Sequence, residues 1–504
     1  MKFKAVKIDV NSGDNFILLN YSDAKKLDVQ IGERIQVIIK GKKAVGIIRI
    51  TSQMVKEGYI GINSRLLNEL GLDFENDITV EAKKIEINLS SDYIRKKFKG
   101  FDLNGNEISQ IIRDISEGKT SDLETLMFIF SSYYNGLNLE ETINVSKAMA
   151  ETGNKINITG KVVDKHSIGG VPGNKVSLLI VPIIANSELY IPKTSSKAIT
   201  SPSGTADTMS VIANVELEPS ELISIVNKTH GCIAWTGKLG ISPADDKIIQ
   251  LERPLRIDPE GLMIASVLSK KIAMGIKYMV LDIPYGKGTK VEDYNYGIQL
   301  AQKFKDVGDA LNIRITSAIT YGSQPVGHTV GPALEAKEAL EGLINPSKAA
   351  NSLLNKSASI AGLLFENTGL VEKGLGYDSA ITLIFNGKAY RKFKEIIEAQ
   401  GGNPNVKPED LPIGQYTYDV LADKEGYVTF LDNSIINYIA RMLGAPYDKG
   451  AGIYLFKKEN YKVAKDEPIM RLYSNSESKI DATLKYINYN KPYMISGMLL
   501  ESYP

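Results

Sequence analysis

Residues 164–185 read DKHSIGGVPGNKVSLLIVPIIA, a short polar run that passes through three glycines into an apolar stretch. Gly169, Gly170 and Gly173 let the backbone approach a ligand closely, and the apolar run opens a helix whose first amides attract an anion. Lys165, Ser167 and Ser177 add a charge and hydroxyl donors of the kind a phosphate group needs. By spacing alone the same glycines would also serve a plain turn. No Gly-Lys-Ser/Thr triplet closes the loop, so the ATP-binding Walker pattern is absent. From Lys161 to about Ala399, strand-length apolar runs such as YMVLDI and RITSAIT alternate with helical segments such as GLMIASVLSKKIAMG and ALEAKEALEGL. That alternation predicts a large α/β domain over 161–400, a mostly parallel sheet covered by helices.

Outward from this domain the period changes. Residues 86–160 place apolar side chains at helical spacing, with Thr120, Ser121 and Asn138 as candidate caps and Gly118, Gly136 and Gly153 as stops. This is a small helical bundle, open to helices recruited from the α/β region. Residues 1–85 alternate apolar and polar with the two-residue period of half-buried strands. They also repeat: LDVQIGERIQV (27–37) and LGLDFENDITV (70–80) align Leu27 with Leu70, Ile31 with Phe74, Ile35 with Ile78 and Val37 with Val80. Each copy follows a short helical stretch, so the segment resembles a double-psi β-barrel of two strand–helix–strand units. On the other side, GGNPNVKPEDLPIG (401–414) marks a boundary, and 415–504 reads as an α+β module. The fold class expected is therefore multidomain, α/β and α+β.

Composition agrees. A chain of 504 residues is too long for one core and divides into three or four domains at roughly 150 residues each. A formal net charge of +1 provides no bulk attraction for nucleic acid or an anionic membrane, so any anion is met locally. The single cysteine, Cys232, excludes an internal disulfide framework and multi-cysteine metal sites. The start, MKFKAVKIDV, lacks an apolar leader core, and the longest apolar stretch is too short to span a bilayer. A cytoplasmic protein is expected, with no nucleic-acid or membrane partner.

Chemistry concentrates in four loops. Beside the first stands SSKAITSPSGTADTMS (195–210), with more hydroxyls than capping a helix near Ala206 requires. Two anion-binding loops suggest two phosphate groups, or one phosphate and a polar sugar. The third, ERPLRIDPEGLMIASVLSKK (252–271), brings Arg253, Arg256 and Asp258 before a helix whose Ser266 and Lys270 share a face. Asp258 would equally serve as a cap. The fourth, DIPYGKGTK (282–290), carries Lys287 and Lys290. Of the three histidines, His166 lies in the first anion loop and is a candidate acid–base group, His230 reads as a helix end, and His328 belongs to a glycine-rich loop fit for a hinge. No histidine pair has metal-ligand spacing, so no obligatory metal is expected.

These motifs resemble a known family. DKHSIGGVPGNKVSL is similar to the KHSTGG signature of the thymidine and pyrimidine-nucleoside phosphorylases, and SSKAITSPSGTADTM stands where that family has its Ser-Gly-Arg and Gly-Gly-Thr-x-Asp signature. The resemblance continues in family order through SPADDKII, IASVLSKKIA, VGPALEAKEAL and NGKAYRKFKEIIEAQGGNP, over about residues 86–500. Departures point to one branch. Lys197 replaces the signature arginine, Ser201 the histidine, the pyrimidine-reading region is shortened to ERPLRID, and a barrel precedes the whole. This combination resembles the archaeal AMP phosphorylase branch. The resemblance implies phosphorolysis of AMP, and of other nucleoside monophosphates such as CMP and UMP, to free base and ribose 1,5-bisphosphate, in a salvage route feeding a ribulose-bisphosphate carboxylase. It implies no cofactor, inorganic phosphate being a co-substrate, and a homodimer or larger homo-oligomer.

Carried over residue by residue, the resemblance implies that the nucleotide is held by Gly170, Ser196, Lys197, Ala198, Ile199, Thr200, Ser201, Thr205, Ser266 and Lys290. Inorganic phosphate would meet Lys165, Ser167, Ser177, Ser195 and Thr205, with Thr205 in both sets, and Asp258 matches the proton donor. His166 is a secondary catalytic candidate. The chemistry asks for such a donor: cleavage at C1′ builds negative charge on the departing base, and adenine leaves far more readily if N7 is protonated as the bond breaks. Phosphate itself is the nucleophile, so no covalent intermediate is required. Three rivals stand beside this reading: a pyrimidine-nucleoside phosphorylase, which would act on thymidine or uridine and against which the replaced signature residues argue; an anthranilate phosphoribosyltransferase, which would need acidic residues for magnesium diphosphate that the sequence does not show; and a non-catalytic nucleotide sensor.

Overall fold

A computed structural model describes residues 1–10, 14–72, 78–84, 89–198 and 201–497. The chain forms two compact units, Met1–Thr152 with Ser242–Ser266, and Gly153–Ile241 with Val267–Pro504. Among the described residues no helix is long and apolar enough to cross a membrane.

In the first unit, strands β1 (Lys2–Ile8), β2 (Phe16–Asn20), β3 (Arg34–Ile39), β4 (Lys42–Thr51), β5 (Tyr59–Asn63) and β6 (Thr79–Lys84) close into a barrel in the order β1-β5-β2-β4-β3-β6. The alternation read in the sequence is the reason: Ile35, Val37 and Ile39 point inward and are fully buried, while their neighbours face out. The two halves of the repeat are β2–helix–β3 and β5–helix–β6, whose short helices Tyr21–Lys26 and Ser64–Glu69 are capped by Asn20 and Asn63 at equivalent places. One repeated apolar position departs from the core pattern. Ile31 is exposed, because it sits in the turn before β3, and its mate Phe74 lies outside the described residues.

Helices Leu89–Phe98, Gly105–Ser116, Asp122–Tyr134 and Leu139–Glu151 follow, and reciprocal capping boxes at Asn104, Ser121 and Asn138 start the last three. Thr120 is not a cap; its hydroxyl lies 3.3 Å from that of Thr125. The helical core of Ile108, Ile111, Phe128, Ile129 and Val145 also takes in Ala244, Ile248, Leu262 and Ala265. Residues 242–266 therefore bury their apolar face among these helices, although they lie within the sequence span of the α/β pattern. A buried ion pair, Lys97–Glu141 at 2.7 Å, ties two helices of the bundle.

The second unit is built on β7 (Val163–Ser167), β8 (Ile191–Ser195), β9 (Gly231–Trp235), β10 (Tyr278–Tyr285) and β11 (Arg314–Tyr321). Every pairing among them is parallel, but they form two sheets, β11-β10-β7 and β8-β9, which an isolated bridge from Val162 to Tyr190 connects. The helix Ser177–Ala185 is buried at every position, which is why its sequence shows no amphipathic period. Its side chains pack on Ile360, Leu364, Phe365, Phe393 and Ile396, each worth roughly 1.5–3 kcal/mol of burial. In the C-terminal part, Tyr416–Leu421, Pro468–Ser474 and Gly452–Leu455 form an antiparallel sheet to which the α/β chain adds Thr329–Val330. The helix Asn433–Leu443 is anchored on the α/β part, Asn433 Nδ2 donating to Gly322 O at 2.8 Å.

Candidate active site

The glycine loop leaves the carboxyl end of β7 and reaches the helix at Ser177. Gly169, Gly170 and Gly173 have φ of +89°, +96° and +70°, a region that side chains resist. Space gives a second reason at two of them. A Cβ on Gly170 would stand 2.8 Å from Lys290 N, and one on Gly173 would stand 2.5 Å from Thr329 O. The loop is thereby pressed between residues 289–290 and 326–329. Inside it, Asn174 Nδ2 donates to Ser167 Oγ at 3.2 Å. Lys175 is fully buried and crosses to the second wall, donating to Val326 O, Thr329 O and Glu338 Oε2 at 3.0, 2.9 and 2.5 Å. Ser177 Oγ is buried with no hydrogen-bond partner among the described residues, as a hydroxyl meant for an anion would be.

Below the loop lies a cluster of buried charge. Asp164 and Lys165 are neighbours on β7, so they face opposite sides of the sheet. Asp164 takes Lys271 at 2.5 Å and Lys193 at 3.4 Å. Lys165, 3% exposed, lies 3.9 Å from Asp282 of β10, and Lys356 lies 3.2 Å from the same carboxylate oxygen. The register explains the second group, because Asp282 stands opposite Ser167, two residues beyond Lys165 and on the same face. Thr320 Oγ1 of β11 donates to the other oxygen at 2.6 Å.

Burial dominates the electrostatics. It pulls Lys165 down to about 8, Asp282 opposing and Lys356 reinforcing the fall. It likewise pulls Lys271 down to about 8 against the attraction of Asp164. Burial raises the Asp282 carboxyl, but Lys356, Lys165 and the hydroxyls of Thr320 and Ser167 outweigh it and keep the group ionised. His166 is held well below the ordinary imidazole range, first by burial and then by Lys271, Lys193, Lys270 and Lys165. So placed, it is neutral near pH 7 and not an imidazolium acid.

The second loop runs from β8 to the helix Thr205–Met209. Ile199 and Thr200 lie outside the described residues. Asp207 folds the remainder back on itself, its Oδ2 accepting from Ala198 N at 2.5 Å and Gly204 N at 2.9 Å. Ser195 Oγ donates to Ser196 O at 3.0 Å, and Ser201 Oγ to Ser203 O at 3.2 Å. Lys197 reaches Glu216 at 2.6 Å and lies 4.0 Å over the Trp235 ring. Thr205 opens its helix directly after the Gly204 cap. The fourth loop is closed by Thr289 Oγ1 on Gly286 O and Val291 O at 2.7 and 2.8 Å, which sets Lys290 beside Gly170. Both were assigned to the nucleotide from sequence, and tertiary structure makes them neighbours.

Asp258 and Ser266 belong to the first unit. Arg253 is part of the helix Pro243–Leu255 rather than of a loop, because the helical pattern runs on through Pro254 to a left-handed cap at Arg256. Asp258 is exposed, two residues before the helix Glu260–Ala273, in whose interior Ser266 stands. Sequence reasoning missed Asp164, Lys193, Asp207, Lys271, Asp282 and Lys356. A usable signal existed for one of them: Asp282 is a lone charge inside the apolar run YMVLDI.

Family models match three stretches: the helical bundle domain of a glycosyl transferase family at residues 91–153, the a/b domain of that family at 159–292, and the pyrimidine nucleoside phosphorylase C-terminal domain at 427–493. The chain is 44% identical to AMP phosphorylase 1 of Archaeoglobus fulgidus, over 100% of this chain and 99% of that one. It is 43% identical to the AMP phosphorylase of Methanocaldococcus jannaschii over 99% and 98%, and 44% identical to that of Thermococcus kodakarensis over 99% of both. Among solved structures, anthranilate phosphoribosyltransferase of Thermus thermophilus is similar in fold, with a TM-score of 0.52 at 16% identity over 62% of this chain and 100% of that one.

Proposed function

The chain belongs to the AMP phosphorylase family, and on that footing we propose that it is an enzyme that splits AMP with inorganic phosphate into adenine and ribose 1,5-bisphosphate. The observation that carries the reading is the glycine loop, which joins the end of β7, with its buried Lys165, to a helix that opens on the buried, unpartnered Ser177 hydroxyl. Lys165, Ser167, Ser177, Ser195 and Thr205 hold phosphate as nucleophile. Gly170, Lys197, the 196–201 loop, Ser266 and Lys290 hold the nucleotide, and Asp258 delivers a proton to adenine N7 as the glycosidic bond breaks. The buried cations stabilise the attacking anion in place, and the enzyme requires no cofactor.

CMP and UMP are further substrates in this reading. In this reading the enzyme is a homodimer or larger homo-oligomer, for which the helical bundle exposes Phe98, Phe101, Leu123 and Tyr134.

The test is to incubate the protein with AMP, CMP, adenosine or thymidine, with and without phosphate, and follow free base. Adenine release from AMP that requires phosphate is expected; equal release without phosphate ends the proposal. Asp258→Asn should retain AMP binding and lose kcat by about 10²–10⁴. An unchanged kcat removes Asp258 from the acid role.

A further inference from the structure

Lys356 is not among the residues assigned to phosphate or nucleotide. It stands on the helix Asn351–Asn367, which packs on the three strands β7, β10 and β11, and its side chain is 9% exposed. Its ammonium lies 3.2 Å from Asp282 Oδ2 yet, among the described residues, makes no hydrogen bond of acceptable geometry. Asp282 Oδ2 is likewise without a hydrogen bond, while Lys165 approaches the same oxygen at 3.9 Å. A buried ammonium carries three donors, and leaving them unmade is costly.

Charge counting gives the same direction. Lys165 and Lys356 share one carboxylate, Asp282, and Lys193 and Lys271 share another, Asp164. Each group of three keeps one uncompensated positive charge in the interior. Buried charge of one sign is tolerated only when a partner is bound or nearby. The Asp282 group, on the face of the sheet that carries Lys165, therefore has one positive charge left over for an anion.

We infer that Lys356, held in place by Asp282, is the second buried cation of the inorganic-phosphate pocket and helps set its affinity for the phosphate dianion. This rests on the reading of Lys165 and Ser177 as phosphate ligands. A lysine that only neutralised Asp282 would be structural, and its loss would disturb both substrates alike. A lysine in the phosphate pocket discriminates between them.

The experiment compares wild type, Lys356→Met and Lys356→Arg. Inorganic phosphate binding is measured by calorimetry without nucleotide, and KM for phosphate and for AMP by adenine release. Lys356→Met should weaken phosphate binding and raise phosphate KM at least tenfold, with AMP KM within twofold of wild type; Lys356→Arg should recover most of the loss. Phosphate binding within twofold of wild type, or equal increases in both KM values, overturns the inference. If Lys356→Met does not fold, Lys356→Gln, which keeps a donor toward Asp282, is judged by the same criteria. Calorimetry separates the two proposals: a wild type that binds phosphate but releases no adenine fails the proposed function, whereas an active wild type matched by Lys356→Met fails only this one.

Discussion

Raising the pH through the window in which Lys165 discharges should weaken phosphate and leave AMP nearly untouched. Lys165 shares a face of the sheet with Asp282 and Lys356 and feels Asp164 and Lys271 from the other face, and burial outweighs the two carboxylates to pull it down to about 8. Phosphate binds the charged form, so binding raises this pKa and affinity falls as the pH climbs through about 8. A group with that pKa is ~90% protonated at about pH 7 and ~10% protonated at about pH 9. The phosphate KM should therefore rise about tenfold per pH unit above about pH 8, a logarithmic slope approaching one. Lys271, also held at about 8, discharges over the same range and steepens the slope toward two if its charge is felt in the pocket. Inorganic phosphate still gains its second charge in the lowest part of this window, so the slope is read above about pH 8, where it and the 5′-phosphate of AMP, with its second pKa of about 6, are both dianionic. The assay is initial-rate adenine release at saturating AMP with phosphate varied, from about pH 7 to about pH 9.5, with controls returned to neutral pH to exclude inactivation. A flat phosphate KM refutes the argument, and so does an AMP KM that rises in parallel.

Three other outcomes follow from single positions. Burial holds Glu335 up at about 7 against the pull of Lys175, so the folded state binds more protons than the unfolded one between about 4.5 and 7, and stability falls as the pH rises through that window. Glu335→Gln keeps an acceptor for Gly331 N and removes this cost; it should stabilise by up to about 3 kcal/mol near pH 8 and by much less near pH 5 in thermal melts, and equal effects at both count against it. Gly170→Ala places a Cβ 2.8 Å from Lys290 N at a φ of +96°, so it should cost about 1–3 kcal/mol and raise AMP KM as residues 289–290 shift; wild-type kinetics would mean that the loops are not in contact. Lys197→Ala breaks an exposed pair with Glu216 and should change stability by less than about 1 kcal/mol while raising AMP KM tenfold or more; a loss of stability with unchanged AMP KM would make Lys197 structural.

Local signals carried the sequence reading where one segment holds both cause and consequence. Gly169, Gly170 and Gly173 announce left-handed backbone that glycine adopts most readily, and Ser121 and Asn138 start helices through bonds that span three residues. The barrel was visible because alternation and the repeat are periodic, and periodicity survives in one dimension. The helix Pro243–Leu255 shows the limit. Its amphipathic pattern is local, but whether Ile248 packs against the bundle or against the parallel sheet depends on which apolar face is left uncovered in three dimensions.

What the sequence by itself determined was the fold class, the glycine loop and, through the family motifs, the chemical class; the residues proposed to handle phosphate and nucleotide come from those same motifs. Tertiary structure alone decided what lies beneath them. Asp164, Lys193, Lys271, Asp282 and Lys356 come from five separate elements, and each in isolation reads as an ordinary charged residue near an apolar run. Their pairing follows from the parallel register, which sets Asp282 opposite Ser167, from the Val162–Tyr190 bridge, which brings the strand of Lys193 beside β7, and from a helix that packs on the sheet. Coulomb interactions fall with distance in space and are strongest where water is excluded, so the site's charge balance exists only once the chain has folded.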